Sequence, residues 1–134
     1  MRIARVQRIL LVDDEKSIVF AVRQYFLKKG YVVDCAGTSE QALELLAGHH
    51  YAVAIVDVEL RGSRDSADGL NLAQFIRSHA PATVIIILTA LDTPETETRA
   101  KEAGVHSFLH KPTRLAQIAD VALGLMRDAS ALAN

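Results

Sequence analysis

The stretch ILLVDDE, residues 9–15, places four apolar residues directly before two adjacent carboxylates, Asp13 and Asp14. Neighbouring carboxylates repel each other, and each loses hydration at the mouth of an apolar strand. One explanation is a helix start, because acidic residues favour a helix N-terminus and Asp is a good cap. The other is a functional site at the end of a buried strand, and the rest of the chain decides between them.

Outward from this stretch, five short apolar runs alternate with five helical patterns. The first, third and fourth runs are apolar at consecutive positions, as expected of strands covered on both faces. Strands that alternate with helices predict right-handed crossovers and an α/β fold with a doubly wound parallel sheet. The predicted strands are 9–12, 32–36, 52–56, 84–88 and the weaker 107–109, and the predicted helices are 16–29, 39–47, 70–78, 94–103 and 115–129.

The helix ends carry recognisable signals. Thr38 with Gln41, and Asp92 with Glu95, have the spacing of a capping box, which marks a helix N-terminus. The glycines that follow helical stretches and can take the left-handed conformation of a helix end are Gly30, Gly48 and Gly104.

Size and composition are typical of one compact domain. The chain has 134 residues, with 15 Lys plus Arg and 16 Asp plus Glu, so the formal charge is −1. That balance gives no electrostatic case for nucleic acid or an anionic membrane. The apolar runs, such as 84–88, are too short to span a bilayer. Cys35 is the only cysteine, which excludes an internal disulfide and suits a reducing cytoplasm.

Polar residues follow the apolar strands at one predicted edge of the sheet. The three central runs end in Asp13 and Asp14, in Asp57 and in Thr89, and the fifth ends in Lys111. In a doubly wound sheet, ligands bind outside the carboxyl ends of the strands. Carboxylate oxygens suit Mg²⁺, which commonly shares its coordination sphere with a phosphate. A carboxylate beside Mg²⁺ and a lysine is a plausible nucleophile toward an activated phosphoryl group, and Asp57 is the best placed.

These residues resemble the receiver domain of bacterial two-component response regulators. The matching pieces are LLVDDE, VAIVDVEL, DGL at 68–70, IILTAL and FLHKP, and together they span about 8–127 of a single domain, 1–134. The resemblance implies a flavodoxin-like sheet in the order 2-1-3-4-5 with helices on both faces. It also implies a signalling domain, not an enzyme with an external substrate, that catalyses only its own phosphorylation and dephosphorylation.

The resemblance also assigns roles around the acceptor. It makes Asp57 the phosphorylated residue and Asp14 a direct metal ligand, with Asp13 acting largely through a coordinated water. The backbone carbonyl of Glu59 would complete the protein ligands. The implied cofactor is Mg²⁺, with Mn²⁺ as an alternative.

Four further residues take roles in phosphoryl binding and in the switch. Thr89 would bind a phosphoryl oxygen and move toward it, and Ala90 would leave room for the phosphodonor. Lys111 would contact the phosphoryl group, with a cis peptide bond before Pro112. Phe108 stands where the family keeps an aromatic residue that swings inward when Thr89 moves.

The implied partners are a sensor histidine kinase, or a phosphotransfer protein, and an unidentified downstream protein or output domain. Helix four, strand five and helix five would form the output surface and a dimer interface. The resemblance also implies a cytoplasmic protein with no direct nucleic acid or membrane binding. The sequence leaves open whether this is a stand-alone receiver or a fragment of a longer regulator.

Two departures from the family pattern lie after the acceptor. Arg61 stands where the family often has proline, and the loop RGSRDSADG, residues 61–69, is longer than usual. The loop is either a tolerated surface insertion or a feature that alters donor access or partner choice.

Two other functions fit parts of the pattern. A Mg²⁺-dependent phosphatase or phosphotransferase would also use an acid-x-acid pair such as Asp57 and Glu59, although no second acidic pair follows downstream. A receiver-like binding module that works without phosphate is the other alternative, and it is disfavoured because all five chemical positions are filled.

Overall fold

A computed structural model describes residues 7–60, 68–90 and 93–133. Strands and helices alternate along the described chain. The strands are β1 Arg8–Val12, β2 Val32–Ala36, β3 Val53–Val56, β4 Val84–Thr89 and β5 Ser107–His110. The helices are α1 Lys16–Lys28, α2 Ser39–Gly48, α3 Asp68–His79, α4 Pro94–Glu102 and α5 Leu115–Ala133.

The five strands form one parallel sheet in the order β2-β1-β3-β4-β5, which confirms the predicted fold class and strand order. At its carboxyl edge the strands are in register. Val12 pairs with Ala36 on one side and with Val56 on the other, and Val56 pairs with Ile87. The residues that follow β1 and β3 therefore emerge side by side.

The sheet separates two hydrophobic clusters. Alternate residues such as Leu10 and Ile87 face a cluster completed by α2, α3 and α4. Their neighbours, such as Leu11 and Ile86, face a second cluster under α1 and α5. Because β1, β3 and β4 are buried on both faces, their apolar runs are continuous and do not alternate.

Most of the predicted helix signals are found in the structure. Thr38 caps α2, since its side chain accepts a hydrogen bond from the backbone N–H of Gln41. Gly30 and Gly104 have the positive φ angles, 90° and 79°, of left-handed helix ends. The same prediction was wrong for Gly48, which is the last residue of α2 and does not have a positive φ.

The predicted cap of α4 requires a correction. Thr93 is the N-cap, and its side chain accepts a hydrogen bond from the backbone N–H of Thr96. A threonine hydroxyl directly before Pro94 fits the helix start better than a residue further upstream, because the cap must reach the third helical residue. Asp92, which the spacing with Glu95 favoured, lies outside the described residues.

Two helices extend by two or more residues beyond a predicted end. α3 begins at Asp68, where a carboxylate in the first turn complements the positive end of the helix dipole. α5 continues to Ala133. In the described part of the chain, no helix combines the length and the apolar character needed to cross a bilayer.

Candidate metal and phosphoryl site

Backbone hydrogen bonds extend the sheet by one residue at the point where the acidic residues begin. The N–H of Asp13 donates to the carbonyl of Ala36 at 3.0 Å, and the N–H of Asp57 donates to the carbonyl of Val12 at 2.9 Å. Both aspartates are therefore held by the sheet and not by a loop. This placement favours the functional explanation of the paired carboxylates over a simple helix start.

Three carboxylates converge at this edge. Asp13, Asp14 and Asp57 each offer one oxygen, and these oxygens lie within 4.8 Å of one another. Asp13 and Asp57 are buried, at 3% and 5% exposure, and Asp14 is half-buried. One oxygen of Asp13, Oδ2, is buried beside the Lys111 ammonium, at 2.9 Å from Nζ. Three clustered carboxylate oxygens fit the ligand preference of a hard divalent cation such as Mg²⁺.

Lys111 is the cation that faces this cluster. Its Nζ lies 2.9 Å from Oδ2 of Asp13 and 3.0 Å from Oδ2 of Asp57, and its side chain is only 8% exposed. Burial acts to lower the pKa of the Lys111 ammonium, but hydrogen bonds to the two aspartates outweigh it and raise that pKa. The ammonium therefore remains charged at neutral pH and partly neutralises the carboxylates.

Glu15 is a member of the site that the sequence analysis did not identify. Its Oε1 lies 3.4 Å from Lys111 Nζ, so the ammonium is shared among three acidic side chains. The signal was present in the sequence, because Glu15 directly follows the paired aspartates. Its own backbone N–H donates to Oδ1 of Asp13 at 2.9 Å, which also fixes that carboxylate.

Each oxygen of the Asp57 carboxylate accepts a hydrogen bond. Oδ2 accepts from Lys111, and Oδ1 accepts from the backbone N–H of Glu59 at 3.1 Å. Burial raises the pKa of Asp57 and the nearby charge of Asp13 raises it further, whereas the bonds from Lys111 and Glu59 lower it; burial dominates. Ionised Asp57 is thus poorly solvated, which is a favourable state for a nucleophile once a cation is present.

The backbone after Asp57 is held by the start of α3. The N–H of Gly69 donates to the carbonyl of Val58 at 3.0 Å. A Cβ atom on Gly69 would lie 1.9 Å from the Asp57 carbonyl oxygen, so this position has no room for any side chain. Glu59 is exposed, and it is the next residue after Val58, whose backbone Gly69 contacts.

The other predicted site residues lie on β4, on β5 and just beyond them. Thr89 is fully buried at the end of β4, and its carbonyl accepts from the N–H of Lys111 at 2.8 Å. Ala90 follows it and is exposed. Phe108 pairs in register with Ile87 and is half-buried against the cluster under α2, α3 and α4. The Lys111–Pro112 bond is cis, the isomer that the family resemblance implied.

A cavity of about 320 Å³ lies beside Lys111. Its walls include Glu15 and Ala90 at the site itself, together with apolar side chains from α1, β4 and α5. The small residue after Thr89 therefore borders open space next to the acidic cluster.

Comparisons with known proteins identify the family of this chain. A family model described as the response regulator receiver domain matches residues 9–122. Response regulator RppA of Synechocystis is 34% identical over 83% of this chain and 47% of its own length. Regulatory protein AtoC of Escherichia coli is 30% identical over 84% of this chain and 24% of its own length. The chain thus spans half or less of these curated relatives.

Solved structures show the same fold. A receiver domain from Methanospirillum hungatei superposes with a TM-score of 0.87 at 21% identity, over 94% of this chain and 98% of that one. A response regulator from Burkholderia pseudomallei, solved with a phosphorylated aspartic acid, a calcium ion and citrate, gives a TM-score of 0.79 at 22% identity over 93% of this chain and 71% of that one.

Proposed function

This chain belongs to the response regulator receiver domain family, and on that premise we propose that it is a phosphoryl-accepting switch with Asp57 as the acceptor. The observation that carries the proposal is the position of Asp57. It is buried at the end of the central strand, it shares a 4.8 Å cluster with Asp13 and Asp14, and it contacts Lys111 at 3.0 Å. We take residues 1–134 as one receiver domain.

The transfer step uses Asp57 as the nucleophile. A carboxylate oxygen of Asp57 forms a bond to phosphorus while the bond from phosphorus to the donor breaks, and the electron pair of that bond leaves with the donor. The donor is a histidine kinase, a phosphotransfer protein or a small acyl phosphate. Lys111 is placed to neutralise charge on the phosphoryl oxygens, and Thr89 to bind one of them.

Asp13, Asp14, Asp57 and the carbonyl of Glu59 are the residues that would hold the divalent ion, which we take to be Mg²⁺ with Mn²⁺ as an alternative. When bound, the ion would supply positive charge to the carboxylates and the transferred group. The protein's own contribution is to hold these oxygens in place before the ion arrives, through the sheet and through the N–H groups of Glu15 and Glu59.

We place the output on α4, β5 and α5. Phosphorylation adds a charge of about −1.5 to −2 at one point. Thr89 at the end of β4 and Phe108 on the paired strand β5 share one face of the sheet, so a shift of Thr89 opens space toward Phe108. This change would move a pre-existing equilibrium between two states. The downstream partner, dimerisation through this surface and a cytoplasmic location stay predictions from the family.

Phosphorylation of the intact protein tests the proposal. With acetyl phosphate and Mg²⁺, we expect the mass of the wild-type protein to increase by one phosphoryl group. Asp57→Asn and chelation of the metal should each abolish the increase, since one removes the nucleophile and the other the cation. Asp34→Asn, at a carboxylate in the middle of the edge strand β2 that is paired with Arg8, serves as the matched control and should still be phosphorylated.

Two outcomes of that experiment contradict the proposal. If the mass is unchanged with every donor, the chain is a receiver-like binding module. If Asp57 remains intact while a phosphomonoester is turned over continuously, the chain is a Mg²⁺-dependent phosphatase.

Metal binding can be tested without phosphorylation. Millimolar Mg²⁺ should raise the melting temperature of the wild-type protein by about 2–5 °C, because an ion that binds only the folded state stabilises it. Asp14→Asn should remove most of this shift, whereas Asp120→Asn, an exposed carboxylate on α5, should retain it. Equal shifts in the wild type and in Asp14→Asn would exclude Asp14 as a ligand.

A further inference from the structure

The acceptor loop is connected to a residue of α2 that has no part in the chemistry described above. Ser39, the first residue of α2, donates a hydrogen bond from Oγ to Oδ2 of Asp68, the first residue of α3. Both residues are half-buried. The bond joins two helices that are 29 residues apart in the sequence and that both begin at the carboxyl edge of the sheet.

Asp68 is directly followed by the tightest backbone contact near the site. Gly69 lies against the peptide group between Asp57 and Val58, where an added Cβ would approach the Asp57 carbonyl carbon and the Val58 Cα to 2.7 Å. The same glycine donates its N–H to Val58. A shift at the start of α3 is therefore transmitted to the backbone of the acceptor.

From this chain of contacts we propose that Ser39 is a positioning residue for the phosphorylation reaction, acting through Asp68 and Gly69 on Asp57. The proposal rests on the function proposed above. By holding the start of α3, Ser39 fixes the Asp57–Val58 peptide and, beyond it, the N–H of Glu59 that orients the Asp57 carboxylate. A nucleophile displaced by a fraction of an ångström reacts more slowly, even when the fold is intact.

The neighbouring residue offers a matched control. Thr38 caps α2 through its own side chain, which accepts a hydrogen bond from the backbone N–H of Gln41 within the same helix. Thr38→Ala should lower the melting temperature by weakening the helix start, without releasing α3. Ser39→Ala should instead release α3, and Ser39→Thr should keep the hydroxyl and the bond. Comparing these variants separates helix stability from positioning.

The first measurement is the rate of Asp57 phosphorylation at saturating Mg²⁺ and acetyl phosphate. Ser39→Ala should slow it about three- to tenfold, while Ser39→Thr and Thr38→Ala should stay within about twofold of the wild type. In an Asp68→Ala background, Ser39→Ala should have no further effect, as expected if the two residues act as one unit. Equal rates in the wild type and in Ser39→Ala, or an equal loss in Thr38→Ala, would overturn the proposal.

The second measurement does not depend on phosphorylation. Amide hydrogen exchange of the metal-free protein should show faster exchange at Gly69 and Glu59 in Ser39→Ala than in the wild type or Thr38→Ala. Unchanged exchange at both amides would refute the positioning role even if the protein accepts a phosphoryl group. Changed exchange in a protein that accepts none would leave the positioning contact established and refute the proposed function.

Discussion

Replacing Gly69 with alanine is expected to lower the free energy of unfolding by about 3 kcal/mol, because overpacking against backbone cannot be relieved by a change of rotamer. The new Cβ would lie 1.9 Å from the Asp57 carbonyl oxygen, so α3 or the acceptor backbone must move. Urea unfolding followed by circular dichroism measures the loss. Phosphorylation should fall as well, since the displaced backbone carries the nucleophile.

Gly48→Ala is the matched control for Gly69→Ala. Gly48 also lies in a helix, and a Cβ there would meet nothing within 4 Å. Gly48→Ala should leave the free energy of unfolding unchanged or raise it by up to about 1 kcal/mol, since alanine is the better helix former. If the two variants had equal stability, close approach to Asp57 would not be the reason for glycine at position 69.

Replacing Lys111 with methionine is expected to lower the free energy of unfolding of the metal-free protein about as much as Gly69→Ala does. The change removes the buried ammonium that contacts Asp13 and Asp57 and leaves their charges unbalanced, a loss that typically costs about 3 kcal/mol. Burial raises the pKa of Asp57, and without Lys111 the contacts that lower this pKa are lost, so Asp57 takes up a proton more readily in the folded state than in the unfolded state. The deficit relative to the wild type should therefore shrink as the pH falls and grow as it rises toward neutrality.

Lys101→Met, at an exposed position on α4, controls for the loss of a surface lysine and should change stability little. Mg²⁺ should stabilise Lys111→Met more than the wild type, because the ion replaces part of the missing charge. The window from about pH 5 to pH 7 lies above the reference pKa range of carboxylates, so a change within it reports a raised pKa in the folded variant. If the stability deficit of Lys111→Met is constant across this window and Mg²⁺ does not reduce it, the substitution removes packing and not charge.

The fold was predictable because local and global signals agree. Consecutive apolar residues in β1, β3 and β4 indicated strands buried on both faces, and that is where the sheet places them. The errors lie at helix ends, where one side chain decides the boundary. Thr93 caps α4 by reaching Thr96, and Gly48 remains helical, although spacing alone favoured other solutions.

The sequence predicted those residues of the site that directly follow a strand. Residues that directly follow strands meet at one edge of a parallel sheet, so Asp13 and Asp57 could be brought together from the sequence. Glu15 was within reach of the same reasoning, since it directly follows Asp14. Ser39 was not, because its contact with Asp68 depends on how α2 and α3 are oriented. The contact of Gly69 with Asp57 joins α3 to the end of β3, and no periodicity in the sequence encodes such an approach.

The two hydrophobic clusters on opposite faces of the sheet have a consequence for protein engineering. Side chains on one face are shielded from those on the other by a layer of backbone, so volume changes in the two compartments should combine additively. A combinatorial library that randomises the compartment beneath α1 and α5 would leave the Thr89 and Phe108 side untouched. The two hydrophobic clusters can therefore be redesigned separately, because the sheet lies between them.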